Sequence, residues 1–210
     1  REIDRLGGHD QYSSSKAGAE LVTAAYRSSF FAASQQSVAL ATARAGNVIG
    51  GGDWSHDRLI PDILAAIQAG KPVCIRYPNA IRPWQHVMEP LLGYLMLAER
   101  LCRNDGRTFA DAWNFGPVDD DTRTVRWIVE QLLERWGSGS WTIEAQPQQH
   151  EATYLKLDGS KAHARLAWRP RWVLGDALNA IVDWQRGYLR GDDMRALTLA
   201  QIACFEGTPA

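Results

Sequence analysis

The sequence predicts an α/β fold, on three observations. Helical and strand-like segments alternate along the 210 residues. A proline-free stretch at residues 11–31 carries Leu21, Val22, Tyr26 and Phe30 at helical spacing. An apolar run at residues 38–43 then reads as a short buried strand and feeds a glycine-rich loop at residues 46–52, an arrangement found where open α/β sheets bind nucleotides.

Each element has its own signal. The first helix places small residues at Ser15, Ala17, Gly18 and Ala19, so it can be buried on more than one side. Residues 59–68 form a second helix, closed by Gly70 and Pro72, and residues 73–76 a short strand. A helix resumes at residues 89–102, with Pro90 in its first turn, where a missing N–H costs nothing. Residues 112–115 suggest a strand before Gly116-Pro117. Residues 124–136 repeat the helical pattern through Val125, Ile128, Val129, Leu132 and Leu133. A strand at residues 141–143, a polar stretch at 146–151 and short helices at 160–166 and 174–188 complete the reading. There is no internal repeat and no low-complexity tract.

Composition bounds the function. With 45% hydrophobic and 22% charged residues the chain can bury a sizeable core, as one or two globular units. A net charge of −1 implies no strong attraction to nucleic acid or to an acidic membrane surface. Cys74, Cys102 and Cys204 are odd in number and fall in no metal or redox pattern, which suits a reducing cytoplasm. The five histidines, at 9, 56, 86, 150 and 163, show no His-x-x-x-His pairing, so no metal site is expected. Nine tryptophans, such as Trp127, Trp136 and Trp184, sit mostly among apolar neighbours and are expected in the core; Trp84, between Arg82 and His86, is the exception.

Tyr12-Ser13-Ser14-Ser15-Lys16 carries the chemistry. Residues four apart lie on one helix face, where the Lys16 ammonium favours the Tyr12 phenolate, so Tyr12 is a candidate acid and base. The bare spacing is weak, arising by chance about one time in ten with six tyrosines and four lysines. An exposed helix whose Lys16 merely covers its neighbours has the same spacing. Context separates the two: a strand and Arg44-Ala45-Gly46-Asn47-Val48-Ile49-Gly50-Gly51-Gly52-Asp53-Trp54 follow the helix.

With these residues the chain resembles the extended short-chain dehydrogenase/reductase family, through the loop "Arg-x-x-Asn-Val-x-Gly" at Arg44, Asn47, Val48 and Gly50. Arg58-Leu59-Ile60-Pro61, Ile81-Arg82-Pro83-Trp84-Gln85-His86-Val87, Trp113-Asn114-Phe115-Gly116-Pro117 and Tyr154-Leu155-Lys156-Leu157-Asp158 fall in the order seen in its nucleotide-sugar 4,6-dehydratases. "Arg-Ala-Gly-Asn-Val-Ile-Gly-Gly-Gly-Asp-Trp" and "Arg-Pro-Trp-Gln-His-Val" are similar to the branch acting on CDP-glucose. The resemblance covers residues 10–194. It implies the carboxyl-terminal part of an extended Rossmann-type fold with a smaller α/β substrate-binding lobe. Residues 1–55 would end the NAD-binding domain; 56–200 would be mostly substrate lobe, with 89–136 partly returning to the first domain and 201–210 a tail.

The resemblance also implies roles. Tyr12 and Lys16 would be catalytic and would bind NAD, the lysine through the nicotinamide ribose. Arg58, Arg82, Asn47 and Asn114 would bind the sugar nucleotide, the arginines as planar forks on its pyrophosphate. His86 and His150 would contact its phosphate or sugar. Each has a plainer reading, as a surface cation for the arginines, a loop-closing amide for Asn47 and Asn114, and a solvated loop residue for the histidines. Related enzymes carry an arginine where Gln146 precedes His150, which leaves one phosphate contact without its residue. The expected reaction converts CDP-glucose to CDP-4-keto-6-deoxyglucose, leading to deoxysugars of O-antigen type. The alternatives are an epimerase or decarboxylase on the same scaffold, and a noncatalytic sugar-nucleotide-binding piece. A homodimer or tetramer through the Tyr12 helix is implied as well. The family opens with a Gly-x-x-Gly-x-x-Gly turn for the dinucleotide and carries a Ser/Thr-Asp-Glu/Lys segment for elimination; neither occurs in the 210 residues. The expectation is therefore a chain that lacks its amino-terminal part and is inactive alone.

Overall fold

The computed structural model describes residues 1–8, 10–31, 38–144 and 153–209. In chain order its first elements are α1 (Gln11–Tyr26), β1 (Thr42–Ala45), β2 (Asn47–Ile49), α2 (Leu59–Gln68), β3 (Val73–Ile75), β4 (Ile81–His86) and α3 (Met88–Leu101). There follow β5 (Ala112–Phe115), β6 (Thr122–Thr124), α4 (Val125–Trp136), β7 (Trp141–Ile143), α5 (Ser160–Leu166), α6 (Leu174–Arg190) and α7 (Met194–Gly207). They divide into two compact units. The first comprises Arg1–Ala45, Pro90–Phe115 and Leu157–Arg169, the second Gly46–Glu89, Gly116–Lys156 and Pro170–Ala210.

In the first unit β1 and β5 pair in parallel, Arg44 opposite Asn114 and Ala45 opposite Phe115. Trp113, Phe115 and Trp168 are buried together with Leu97, Phe109, Ala162 and Leu166. Helix α1 contributes no buried residue. Its less exposed positions, Ser13, Ala17, Gly18, Glu20, Thr23 and Ala24, are small or polar. Leu21, Val22, Tyr26 and Phe30, which the helical spacing suggested could be buried, lie on the exposed side. The expected strand at 38–43 begins later, at Thr42, because the ladder starts only where β5 supplies partners.

In the second unit β4 lies between β2, parallel to it, and β6, antiparallel. A parallel pair joins β3 and β7. The apolar stripe of α2, Ile60, Ile63, Leu64 and Ile67, packs with Ile128, Val129 and Leu132 of α4 and Leu174, Leu178 and Ile181 of α6. Full burial of each such side chain contributes about 1.5–3 kcal/mol. Helix α4 starts at Thr124, whose hydroxyl accepts the Trp127 N–H, and stops at Gly137, held left-handed at φ 86°. Residues 201–207, expected as part of a tail, instead complete α7. Asp193 caps that helix and Phe205, 4% exposed, anchors it.

Candidate functional site

The first unit holds Tyr12, Lys16 and Asn114. Asp10 starts α1 by accepting the Ser13 N–H at 2.8 Å, which sets Tyr12 in the first turn. That contact holds the Asp10 carboxyl below its ordinary range. Tyr12 is 72% exposed, and the Lys16 ammonium stands 5.3 Å from its ring centroid, so the two share one face as the spacing requires. One more turn along the stripe, the Glu20 carboxylate accepts the Thr42 hydroxyl at 2.8 Å and pairs with Arg44 Nε at 3.4 Å. Asn114 is 1% exposed at the end of β5. Its N–H donates to Glu2 Oε1 at 3.0 Å, while its buried Oδ1 meets no donor among the described residues.

The second unit holds Asn47, Arg58, Arg82 and His86. Asn47 opens β2 opposite Trp84, and Arg58 is exposed immediately before α2. Arg82 is buried in β4, with Nη1 donating to Ile81 O at 2.8 Å. Trp84 is a core residue whose indole N–H donates to Arg123 O at 3.0 Å. His86 ends β4 at 3% exposure, its ring 4.9 Å from that of Trp172. Burial lowers its pKa to about 4, so at neutral pH the ring is uncharged. Because Nδ1 accepts the Met88 N–H at 3.4 Å, the proton is assigned to Nε2, which is buried without an acceptor among the described residues. His150 lies outside the described residues.

The glycine-rich loop has a packing reason. A Cβ on Gly51 would stand 2.3 Å from Trp184 Cγ, and Gly52 adopts φ 76° over the same indole. Trp184 in turn stacks on Tyr188, and Trp54 leans on both.

Beside His86 the structure adds a group that the sequence reading did not single out. Glu89, 1% exposed, accepts the Trp172 N–H at 2.8 Å and the Arg171 N–H at 3.1 Å. Burial raises its pKa despite those bonds, and burial raises that of Asp121 too. Arg171 Nη1 reaches the carbonyls of Phe205 and Glu206 at 3.2 and 2.8 Å, closing the end of α7. A carboxylate in the first turn of an amphipathic helix ordinarily reads as solvated; its burial depends on residues 82 positions away. Glu20 escaped notice for the same reason, although its place eight residues after Tyr12 was a usable signal. Among the described residues no group of three His, Cys, Asp or Glu side chains could hold a metal ion, and no helix is long and apolar enough to cross a membrane.

No protein-family profile matches the chain. Its fold is that of the extended short-chain dehydrogenases/reductases. The dTDP-glucose 4,6-dehydratase of Bacillus anthracis strain Ames, solved with NAD, aligns at TM-score 0.73 and 21% identity over 94% of this chain and 58% of that one. The UDP-glucose-4-epimerase of Stenotrophomonas maltophila, solved with NAD and formylated UDP-arabinopyranose, aligns at TM-score 0.75 and 17% identity over 90% and 59%. In sequence the chain is related to CDP-glucose 4,6-dehydratase of Salmonella typhimurium strain LT2, with 50% identity over 209 residues, 98% of this chain. The chain spans 58% of the length of that relative.

Proposed function

We propose that this chain belongs to an NAD-dependent nucleotide-sugar 4,6-dehydratase that converts CDP-glucose to CDP-4-keto-6-deoxyglucose. The observation that carries the reading is the Tyr12–Lys16 pair on one open helix face, in a chain 50% identical to a CDP-glucose 4,6-dehydratase. The phenol of Tyr12 is exposed, and Lys16 has no ion pair among the described residues, so both fit the nicotinamide end of the cofactor. NAD bound there supplies the oxidising equivalent at C4 of the sugar and takes no net change over a turnover.

Tyr12 takes the proton of the 4-hydroxyl as general base, with the Lys16 ammonium beside its ring. The 4-ketone makes the C5 proton acidic; that proton and the 6-hydroxyl leave as water, giving a 5,6-alkene, and the hydride taken from C4 returns to C6 while a proton returns to C5. Arg58, Arg82, Asn47, Asn114, His86 and His150 are assigned to the sugar nucleotide. Of these, His86 brings an uncharged Nε2–H donor, suited to a phosphate or hydroxyl oxygen.

The test is turnover by the full-length protein with CDP-glucose, dTDP-glucose or UDP-glucose in the presence of NAD. A 4-keto product that absorbs in base, formed fastest from CDP-glucose, is the expected result. The likeness in fold to the Stenotrophomonas epimerase favours a second reading. An epimerised sugar with no 4-keto product would select it and overturn the first.

A further inference from the structure

Lys16 and Glu20 are four residues apart on α1, a spacing at which opposite charges normally pair along a helix. They do not pair here. The Glu20 carboxylate is taken by two side chains of β1, the Thr42 hydroxyl at 2.8 Å and Arg44 Nε at 3.4 Å. Thr42 and Arg44 are two apart in the strand and so project from the same face. Glu20 is the one side chain of α1 that hydrogen-bonds to a strand among the described residues. Because α1 buries no side chain and turns small residues inward, apolar packing leaves its rotation about its own axis weakly fixed.

We propose that Glu20 is a positioning residue for the Tyr12–Lys16 pair: Thr42 and Arg44 grip its carboxylate, fixing the rotation of α1 and holding the negative charge away from Lys16. One hydrogen bond from Thr42 and one ion pair with Arg44 tie the carboxylate to β1. The ammonium is left to Tyr12, whose ring it overlies at 5.3 Å. Without Arg44 the carboxylate regains its partner at i−4, and Lys16 is drawn off the phenol by one helical turn.

This inference rests on Tyr12 and Lys16 being the reacting pair, and the experiment separates the two ideas. In the full-length protein, Arg44→Met is expected to lower kcat about tenfold with KM for the sugar nucleotide within twofold, a misplacement rather than a binding defect. The double variant Arg44→Met/Glu20→Gln is expected to recover at least half of that loss, because no carboxylate remains to compete for Lys16. A role in packing alone gives the opposite order, the double variant being the worse. Amide hydrogen exchange without cofactor supplies a readout independent of turnover. Glu20→Ala should speed exchange about tenfold across residues 13–19 and leave β5 unchanged. If Tyr12→Phe is inactive while Arg44→Met keeps its kcat and Glu20→Ala its exchange rates, the positioning role is overturned. If Tyr12→Phe keeps full turnover, it is the reading of the reacting pair that falls.

Discussion

The Glu89 carboxylate, almost wholly buried, holds the main-chain N–H of Trp172 at 2.8 Å across 83 residues of sequence. It accepts the part-buried Arg171 N–H as well, so one side chain satisfies two main-chain donors, that of Trp172 being buried. Glu89→Ala strands both. The expected cost is about 2–4 kcal/mol in urea unfolding. Glu89→Gln keeps an acceptor and removes a charge that burial already disfavours, so its cost should be about 1 kcal/mol or less.

His86 gives stability a pH dependence. Its folded pKa of about 4 lies below the ordinary 6.5, so between these values the unfolded chain binds the extra proton. The contribution is complete above about pH 6.5 and is lost as pH falls towards 4, amounting there to about 3 kcal/mol. Glu89 and Asp121, both raised by burial, act in the opposite sense, so the comparison must be made against a variant. His86→Asn keeps an acceptor for the Met88 N–H and cannot titrate. Its unfolding free energy should fall less than wild type between pH 7 and pH 4, by about the same 3 kcal/mol.

Tyr12→Phe removes a hydroxyl that is open to solvent and leaves the Asp10 cap of α1 intact. Melting temperature should stay within a degree or two. Turnover of the full-length protein should drop about 10²–10⁴-fold, with binding of the sugar nucleotide by calorimetry little changed.

Leu21, Val22 and Tyr26 leave an apolar strip on α1, continued by Phe30 just beyond its end, more than half exposed at each residue. We expect a second copy of the chain to cover it, giving a homo-oligomer. Leu21→Asp should shift the mass measured by light scattering towards the monomer. A wild-type protein that is monomeric at assay concentrations would refute this.

How much of the molecule was legible follows from local signal. The limits of α2, α4 and α5 agree with the sequence because apolar period and stop residues coincide, as at Gly137. Strand β4 was not recognised as a strand. It is buried on both faces, so it does not alternate, and Pro83 within it argues against a central strand. The plainer readings of Arg82 as a surface cation and His86 as a solvated loop residue accordingly fail, since both are buried members of a ladder. The apolar side of α1 was legible as apolar, but a periodicity does not say what covers it. Tyr12 and Lys16 were readable because four residues of helix suffice to align them. The partners of Glu20 and Glu89 were not, since each lies in a different segment of the chain.

The dipeptide Arg171-Trp172 serves two clients at once, giving its amides to Glu89 and its guanidinium to the last carbonyls of α7. Trp172 also sets its ring edge-on to Phe205 and its indole N–H on the Thr208 hydroxyl. Neither attachment can be released without loosening the other. Fluctuations that free the carboxyl-terminal turn of α7 should therefore expose the Trp172 amide in the same event, a single cooperative unit whose exchange at both places reports one opening free energy.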